Sequence, residues 1–195
     1  VEITFQGGNL GSDFKQSYEA PKEPGIVLLH AKAGGQRSNA IPFQIDNVPQ
    51  EREREPNNTL GTAQMLEPPM IVNGVIESTG EADFYRVKAN GGREMIFEIF
   101  ARRLGSPVDA SLTVFDQNGK QVAFNDDHED LGSGLTTHHA DSRISMKMPP
   151  GGSAFIRVTD TQGQSGPTNA YRLKVRAADP AFALRVTPSS LNAKP

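Results

Sequence analysis

The 195-residue chain has no cysteine, no tryptophan, only three tyrosines, no basic block and no long apolar run. Each absence removes a class of function. Without cysteine there is no disulfide scaffold, no thiolate zinc site, no iron–sulfur cluster and no thiol nucleophile. The compartment stays open, because a chain of this length can bury a core without disulfides. Lys and Arg number 20 against 23 Asp and Glu, a formal charge of −3. A nucleic-acid binder needs a concentrated basic face, so that partner is not expected. The longest aliphatic run, Ile26 to Leu29, falls far short of the roughly 18 residues of a membrane span, so no membrane insertion is expected. No charged and apolar leader opens the chain at Val1, and strand-like residues run almost to Lys194-Pro195. It reads as an excerpt of a longer polypeptide.

What is present is turn chemistry and alternation. Glycine (19) and proline (14) are in excess, as many short strands require. Apolar residues recur with period two, over Val1–Phe5, Ile26–Ala31, Ile41–Ile45, Ile71–Ile76, Phe84–Lys88 and Met95–Ala101. The pattern continues over Leu112–Phe115, Val122–Phe124, Ile144–Met148, Ala154–Val158, Tyr171–Val175 and Phe182–Val186. Met95 to Phe100, apolar at nearly every position, predicts a central strand covered on both faces. Asn118-Gly119 between two strands predicts a tight hairpin turn. The single helical candidate is Thr59 to Leu66. Short strands split by Gly, Pro and Asp turns predict an all-β antiparallel sandwich or barrel.

Residues 48–58 hold no apolar side chain after Val48, alternate in charge and contain two prolines. They read as an acidic, Pro-containing linker. It would join a small β segment at 1–47, part of an Ig-like domain, to a main β domain at 59–177. Residues 178–195 read as an extension towards a further domain.

The same run carries the most suggestive chemistry. Glu53, Glu55, Asn57 and Asn58 offer four hard oxygen donors within six residues. In an extended chain Glu53, Glu55 and Asn57 share a face. Mixed carboxylate and amide oxygens suit Ca²⁺, which takes six to eight ligands. Further ligands must come from elsewhere, and Glu81 and Asp83, or Asn125, Asp126 and Asp127, are candidates. A solvated linker is the competing reading of the same residues.

Glu53 to Thr59 with Ala63-Gln64 resembles the opening of the bacterial pre-peptidase C-terminal domain family. Val72–Ile76, Gly80–Tyr85, Val108–Gly119, Phe124–Asp127, Asp141–Ile144, Phe155–Val158 and Tyr171–Val175 follow in the order of that family's motifs. The resemblance covers about residues 53–176 and implies a secreted or cell-surface jelly-roll β-sandwich, appended to proteases and other large exported bacterial proteins. In collagenases the similar module binds collagen, and calcium rigidifies its N-terminal linker. The resemblance places the calcium ligands at Glu53, Glu55, Asn57, Asn58, Glu81 and Asp83. Asn58 stands where the family commonly has a carboxylate, and Glu81 where Asp is common. Gly34 to Phe43 resembles the close of an Ig-like domain in large planctomycete-type exported proteins.

His128, His138 and His139 lie close together beside several acids, but without metal-binding helical spacing, and read as a polar loop. Gly163–Pro167 only approximates a nucleophile elbow, and Ser165 reads as a turn residue. Asn57-Asn58-Thr59 matches a glycosylation acceptor. Phe5, Phe14, Tyr18 and Phe43 read as the small segment's core. The function expected is a non-catalytic, calcium-binding accessory module that orients and stabilises flanking domains of its own polypeptide. The alternatives are a ligand-binding module and a hydrolase. The first would grip collagen-like protein or polysaccharide with a patch including Tyr85, Arg102, Arg103 and Tyr171. The second would use a pocket holding a histidine beside a serine or paired carboxylates.

Overall fold

Period-two alternation governs the chain in the computed structural model, which describes residues 2–5, 14–129 and 138–178. Two compact units are divided between Val48 and Pro49, with Arg103–Gly105 returning to the first. The first unit contains β1 (Glu2–Phe5), β2 (Phe14–Ser17), β3 (Gly25–Leu29), β4 (Lys32–Ala33), β5 (Gln36–Arg37) and β6 (Ile41–Ile45). They pair as three antiparallel ribbons, β1 with β2, β3 with β6 and β4 with β5. Phe5 is buried and its ring meets those of Phe14 and Tyr18 at 6.3 and 6.0 Å, whereas Phe43 is 37% exposed. Two-stranded ribbons bury little, and among the described residues of this unit Leu29 and Ala31 are the other covered apolar side chains.

The second unit holds β7 (Gln50–Arg52), β8 (Gln64–Leu66), β9 (Met70–Val75), β10 (Asp83–Lys88), β11 (Glu94–Phe100), β12 (Ala110–Asp116) and β13 (Gln121–Asn125). β14 (His128–Glu129), β15 (His138–His139), β16 (Arg143–Lys147), β17 (Ser153–Asp160) and β18 (Ala170–Ala177) follow. One sheet runs β13-β12-β17-β10-β8 and the other β16-β11-β18-β9-β7. If the strands from β9 to β18, leaving out β14 and β15, are numbered one to eight, the sheets read 5-4-7-2 and 6-3-8-1. That is the double-sheet jelly roll. All its pairs are antiparallel; only the edge strands β7 and β8 pair in parallel, with β9 and β10.

Inward residues of the two sheets form one core, with Phe97, Ile99, Leu112, Val114, Ile156 and Leu173 essentially inaccessible. β11 lies between β16 and β18, and Ile96 on its other face is also 5% exposed, as its apolar run predicts. Each such side chain contributes about 1.5–3 kcal/mol of burial.

One local prediction is corrected. Thr59–Leu66 is not a helix: residues 59–62 make one turn, closed by Thr62 N–H to Thr59 O at 3.1 Å. Gln64–Leu66 then enters the sheet, because only alternate residues there, Gln64 and Leu66, can be buried in it. A two-turn helix holds too few hydrogen bonds to compete with that burial. Asn118-Gly119 makes the tight hairpin turn expected of it, joining β12 to antiparallel β13, with Gly119 at a positive φ (79°). The turn is closed by Gly119 N–H to Asp116 O, with the Asp116 carboxylate accepting from Asn118 N and Lys120 N. Residues 128–139 carry a short ladder, β14 on β15, and residues 130–137 lie outside the described residues, as does the candidate strand Phe182–Val186.

Candidate metal centre

Residues 50–58 are built into the sandwich. β7 pairs with β9, Glu53 N–H continues that ladder to Asn73 O at 3.0 Å, and Phe84 N–H of the other sheet donates to Asn57 O at 2.8 Å. The segment 53–57 is therefore a strap that crosses from one sheet to the other. Gln64 fastens it: its amide NH₂ donates to Glu51 Oε1 and Arg52 O, and its Oε1 accepts from Arg54 N at 2.7 Å.

The strap delivers two carboxylates to the inward end of β10. Oxygen atoms of Glu53, Glu55 and Asp83 all lie within 4.8 Å of one another. Asp83 is fully buried because alternation puts it on the same side as Tyr85 and Val87. Asn57, also fully buried, aims one end of its amide at Asn58 Oδ1 (3.0 Å), Glu55 Oε1 (3.1 Å) and Asp83 Oδ1 (3.3 Å). With nitrogen at that end, the amide donates into the cluster. With oxygen there, four oxygens converge and need a proton or a cation between them.

Two tyrosines form the floor. Tyr171 O–H donates to Asp83 Oδ2 at 2.6 Å, and the Tyr85 and Tyr171 hydroxyls meet at 2.6 Å. Tyr85 also reaches Glu53 Oε2 at 3.3 Å, while Glu53 Oε1 accepts from Val75 N at 2.6 Å. Gly74 makes the approach possible. A Cβ there would sit 2.4 Å from the Tyr171 ring and 2.6 Å from Glu53 Oε2. Sequence reading missed Gly74, Tyr85 and Tyr171 as parts of this site. The available signal was Tyr171-Leu173-Val175, which already put Tyr171 on the buried face.

The charge balance is one-sided. Burial first, then neighbouring carboxylates, push Glu53 from its ordinary 4.5 to about 7, although the Val75 N–H bond opposes the rise. Burial likewise raises Asp83 from 3.8 to about 8, against the lowering effect of the Tyr171 hydrogen bond. Each charged group acting on either is another carboxylate. Burial raises both tyrosines far above their usual range, so they serve as neutral donors.

Among the residues named from sequence, Glu53, Glu55, Asn57 and Asp83 are brought together, with exposed Asn58 at their margin. Glu81 is not among the converging carboxylates: its Oε2 accepts from Glu77 N and from Ser78 N (2.8 Å) and closes the turn before β10, while its charge still acts on Asp83. Asn125 aligns across the sheet through Leu112 and Val158 to Asp83, three strand spacings or about 14 Å away. Its Oδ1 accepts from Arg143 N, and Asp126 and Asp127 are exposed beside it. They cannot share an ion with Asp83. Ser165 lies in a loop with its hydroxyl 3.3 Å from Thr79 Oγ1. The acceptor pattern at Asn57 is closed to glycosylation by complete burial of the amide. Tyr85 and Tyr171 are 0% and 2% exposed, so neither belongs to a surface patch with Arg102 and Arg103.

The donor set contains oxygen alone, carries two or three negative charges, and is irregular. Such a set suits a hard divalent cation rather than a transition metal that prefers nitrogen and sulfur. Glu53, Glu55, Asn57 and Asp83 would hold the ion, and its charge would replace the protons on Glu53 and Asp83.

No helix among the described residues is long and apolar enough to cross a membrane. No family model matches the chain. It is 26% identical over 161 residues to a probable subtilase-type serine protease of Deinococcus radiodurans, a match covering 81% of this chain. The chain spans about a fifth (20%) of that protein's length. Among solved structures it is similar to the pre-peptidase C-terminal domain of a collagenase from Bacillus anthracis. That match has 10% identity and a TM-score of 0.39, over 67% of this chain and all (100%) of that one.

Proposed function

We propose that this chain is a non-catalytic accessory module of a large exported bacterial protein, and that Ca²⁺ clamps its strap 53–57 to the sandwich. The observation that carries the reading is the convergence of Glu53, Glu55 and Asp83 with the fully buried Asn57 amide pointed into them. Three carboxylates held this close repel one another, and a divalent cation converts that repulsion into attraction. The clamp would fix the segment through which flanking domains of the same polypeptide are attached, so its role is in orientation and stability. The relative named as a protease is several times longer than the matched part, consistent with a module carried by a larger enzyme.

Melting the protein in EDTA, in CaCl₂ and in MgCl₂ tests this. Filling a site at a hundred times its dissociation constant adds about 2.7 kcal/mol, and a domain of this size gains about 2–4 °C per kcal/mol. A calcium-specific rise of several degrees, lost in Glu55→Ala, is expected. Identical melts in all three would remove the ion from the account.

A further inference from the structure

Among the described residues, the sandwich unit has four strongly exposed large apolar side chains: Leu60 (36%), Met65 (38%), Val122 (42%) and Phe124 (53%). They gather at one face. Met65 and Phe124 point outward from the two edge strands of the β13-β12-β17-β10-β8 sheet, and Val122 sits where β13 bulges. Leu60 lies against the Gly119 turn that ends the face.

Between these edges the strand register builds a grid. One row reads Met65, Arg86, Phe155, Phe115, and the next Phe84, Arg157, Thr113, Phe124. The Arg86 guanidinium lies 5.3 Å from the Phe155 ring and that of Arg157 5.6 Å from Phe115, while Phe84 and Phe115 stack at 6.3 Å. Lys88 adds a third cation at the margin, beside exposed Glu67, and no outward position of the five strands themselves is acidic. The ion pairs found among the described residues, Lys15–Glu2 and Arg54–Glu51, involve none of the three. Arg86 and Arg157 bond neutral hydroxyls of Ser153 and Thr113, and Arg157 Nε is buried without a partner. The outer face of the other sheet is unlike this. There Glu98 is flanked by Arg143 and Lys174, and Glu94 faces Lys147.

We propose that this phenylalanine–arginine face is a docking surface for a protein partner presenting an acidic, aliphatic segment. Aromatics, Met and Arg without acids are the composition of an interface centre. Unpaired cations on a chain of net charge −3 specify an anionic counterpart rather than general attraction. The exposed Leu, Met, Val and Phe favour aliphatic side chains over a hydroxyl-rich sugar polymer, since guanidinium and ammonium groups are the main polar donors on offer. The proposal is independent of the calcium reading.

Fluorescence anisotropy with a labelled peptide alternating Glu and Leu tests it in CaCl₂ and in EDTA. A Lys–Leu peptide controls for sign, and polygalacturonate is the competitor. The acidic peptide should bind in both buffers. Arg86→Gln and Arg157→Gln should each weaken it about tenfold, the worth of one charge-assisted contact. Phe124→Ser should weaken it too, on an exposed position that folding tolerates, and Lys174→Gln on the other sheet should not. Equal binding of both peptides, affinity unchanged in the Arg86, Arg157 and Phe124 variants, or displacement by polygalacturonate would each overturn the proposal.

Discussion

Strand β10 separates two regions of opposite character. Its inward residues lead from buried Asp83 into a cluster of carboxylates, half-buried Glu53 and exposed Glu55, with no basic side chain among the charges that act on Asp83. Its outward residues Phe84, Arg86 and Lys88 belong to a face whose strands carry cations and no acid, with Glu67 at its margin beside Lys88. The same alternation that makes a half-buried strand has sorted the two signs of charge onto opposite sides of one sheet. Each side is left short of the charge that the other holds, and that shortage points inward to a cation and outward to an acidic surface.

The sharpest way to break the inner region is Gly74→Ala. Its Cβ would meet both the Tyr171 ring and Glu53 below 3 Å, so the floor or the strap must move. Overpacking of this kind costs about 1–3 kcal/mol. We expect a lower melting temperature and loss of any calcium response, where Gly25→Ala, with open space around its Cβ, leaves that response intact.

Asp83→Asn comes next, and its sign depends on the metal. It replaces a buried carboxyl that keeps its proton in the metal-free fold until about pH 8, so the EDTA melt should hold at neutral pH and rise above it, while the calcium-induced rise disappears. A fall in EDTA equal to the fall in calcium would mean that the carboxylate is a plain structural acceptor for Tyr171.

The pH dependence follows from the raised values. Glu53 and Asp83 hold a proton more tightly folded than unfolded. Their protonation stabilises the metal-free fold fully below about pH 4 and is lost as pH climbs through about 7 and 8. Melts in EDTA should therefore decline from mildly acidic to mildly alkaline buffer. The shift produced by CaCl₂ should grow over the same interval, because the ion displaces protons. A calcium shift independent of pH would place the ion elsewhere.

The smallest effect belongs outside. Phe124→Ser, at 53% exposure, should change stability by less than about 0.5 kcal/mol. A larger loss would mean that the outer face serves the fold and not a partner.

Much of the sandwich was legible because its strands alternate cleanly. Ile41–Ile45 was bounded as observed, and other strands such as β9 and β11 to within a residue or two. Thr59–Leu66 misled because its apolar residues are too few to distinguish one turn and an edge strand from a short helix. At the site, Glu53, Glu55, Asn57 and Asp83 were readable because three fall in one extended run and the fourth begins a strand. Glu81 was not separable from Asp83 by spacing, since an acid two residues away can close a turn as readily as face a ligand. Asn125–Asp127 misled for a different reason. Strand order, which puts β13 three strands from β10, is a long-range property that no local motif carries. The phenylalanine–arginine grid was invisible for the same reason, because Met65, Phe84, Phe124 and Phe155 become neighbours only through register.

The strap also has a mechanical meaning. Because β7 is bonded along β9 and segment 53–57 beyond it to Asn73 of one sheet and Phe84 of the other, tension arriving along the chain at Pro49 meets the β7–β9 ladder first and then a bridge between both layers. An ion joining Glu53 and Glu55 to Asp83 would shorten that load path and stiffen it, making the module a calcium-dependent coupling between the parts of the polypeptide it connects.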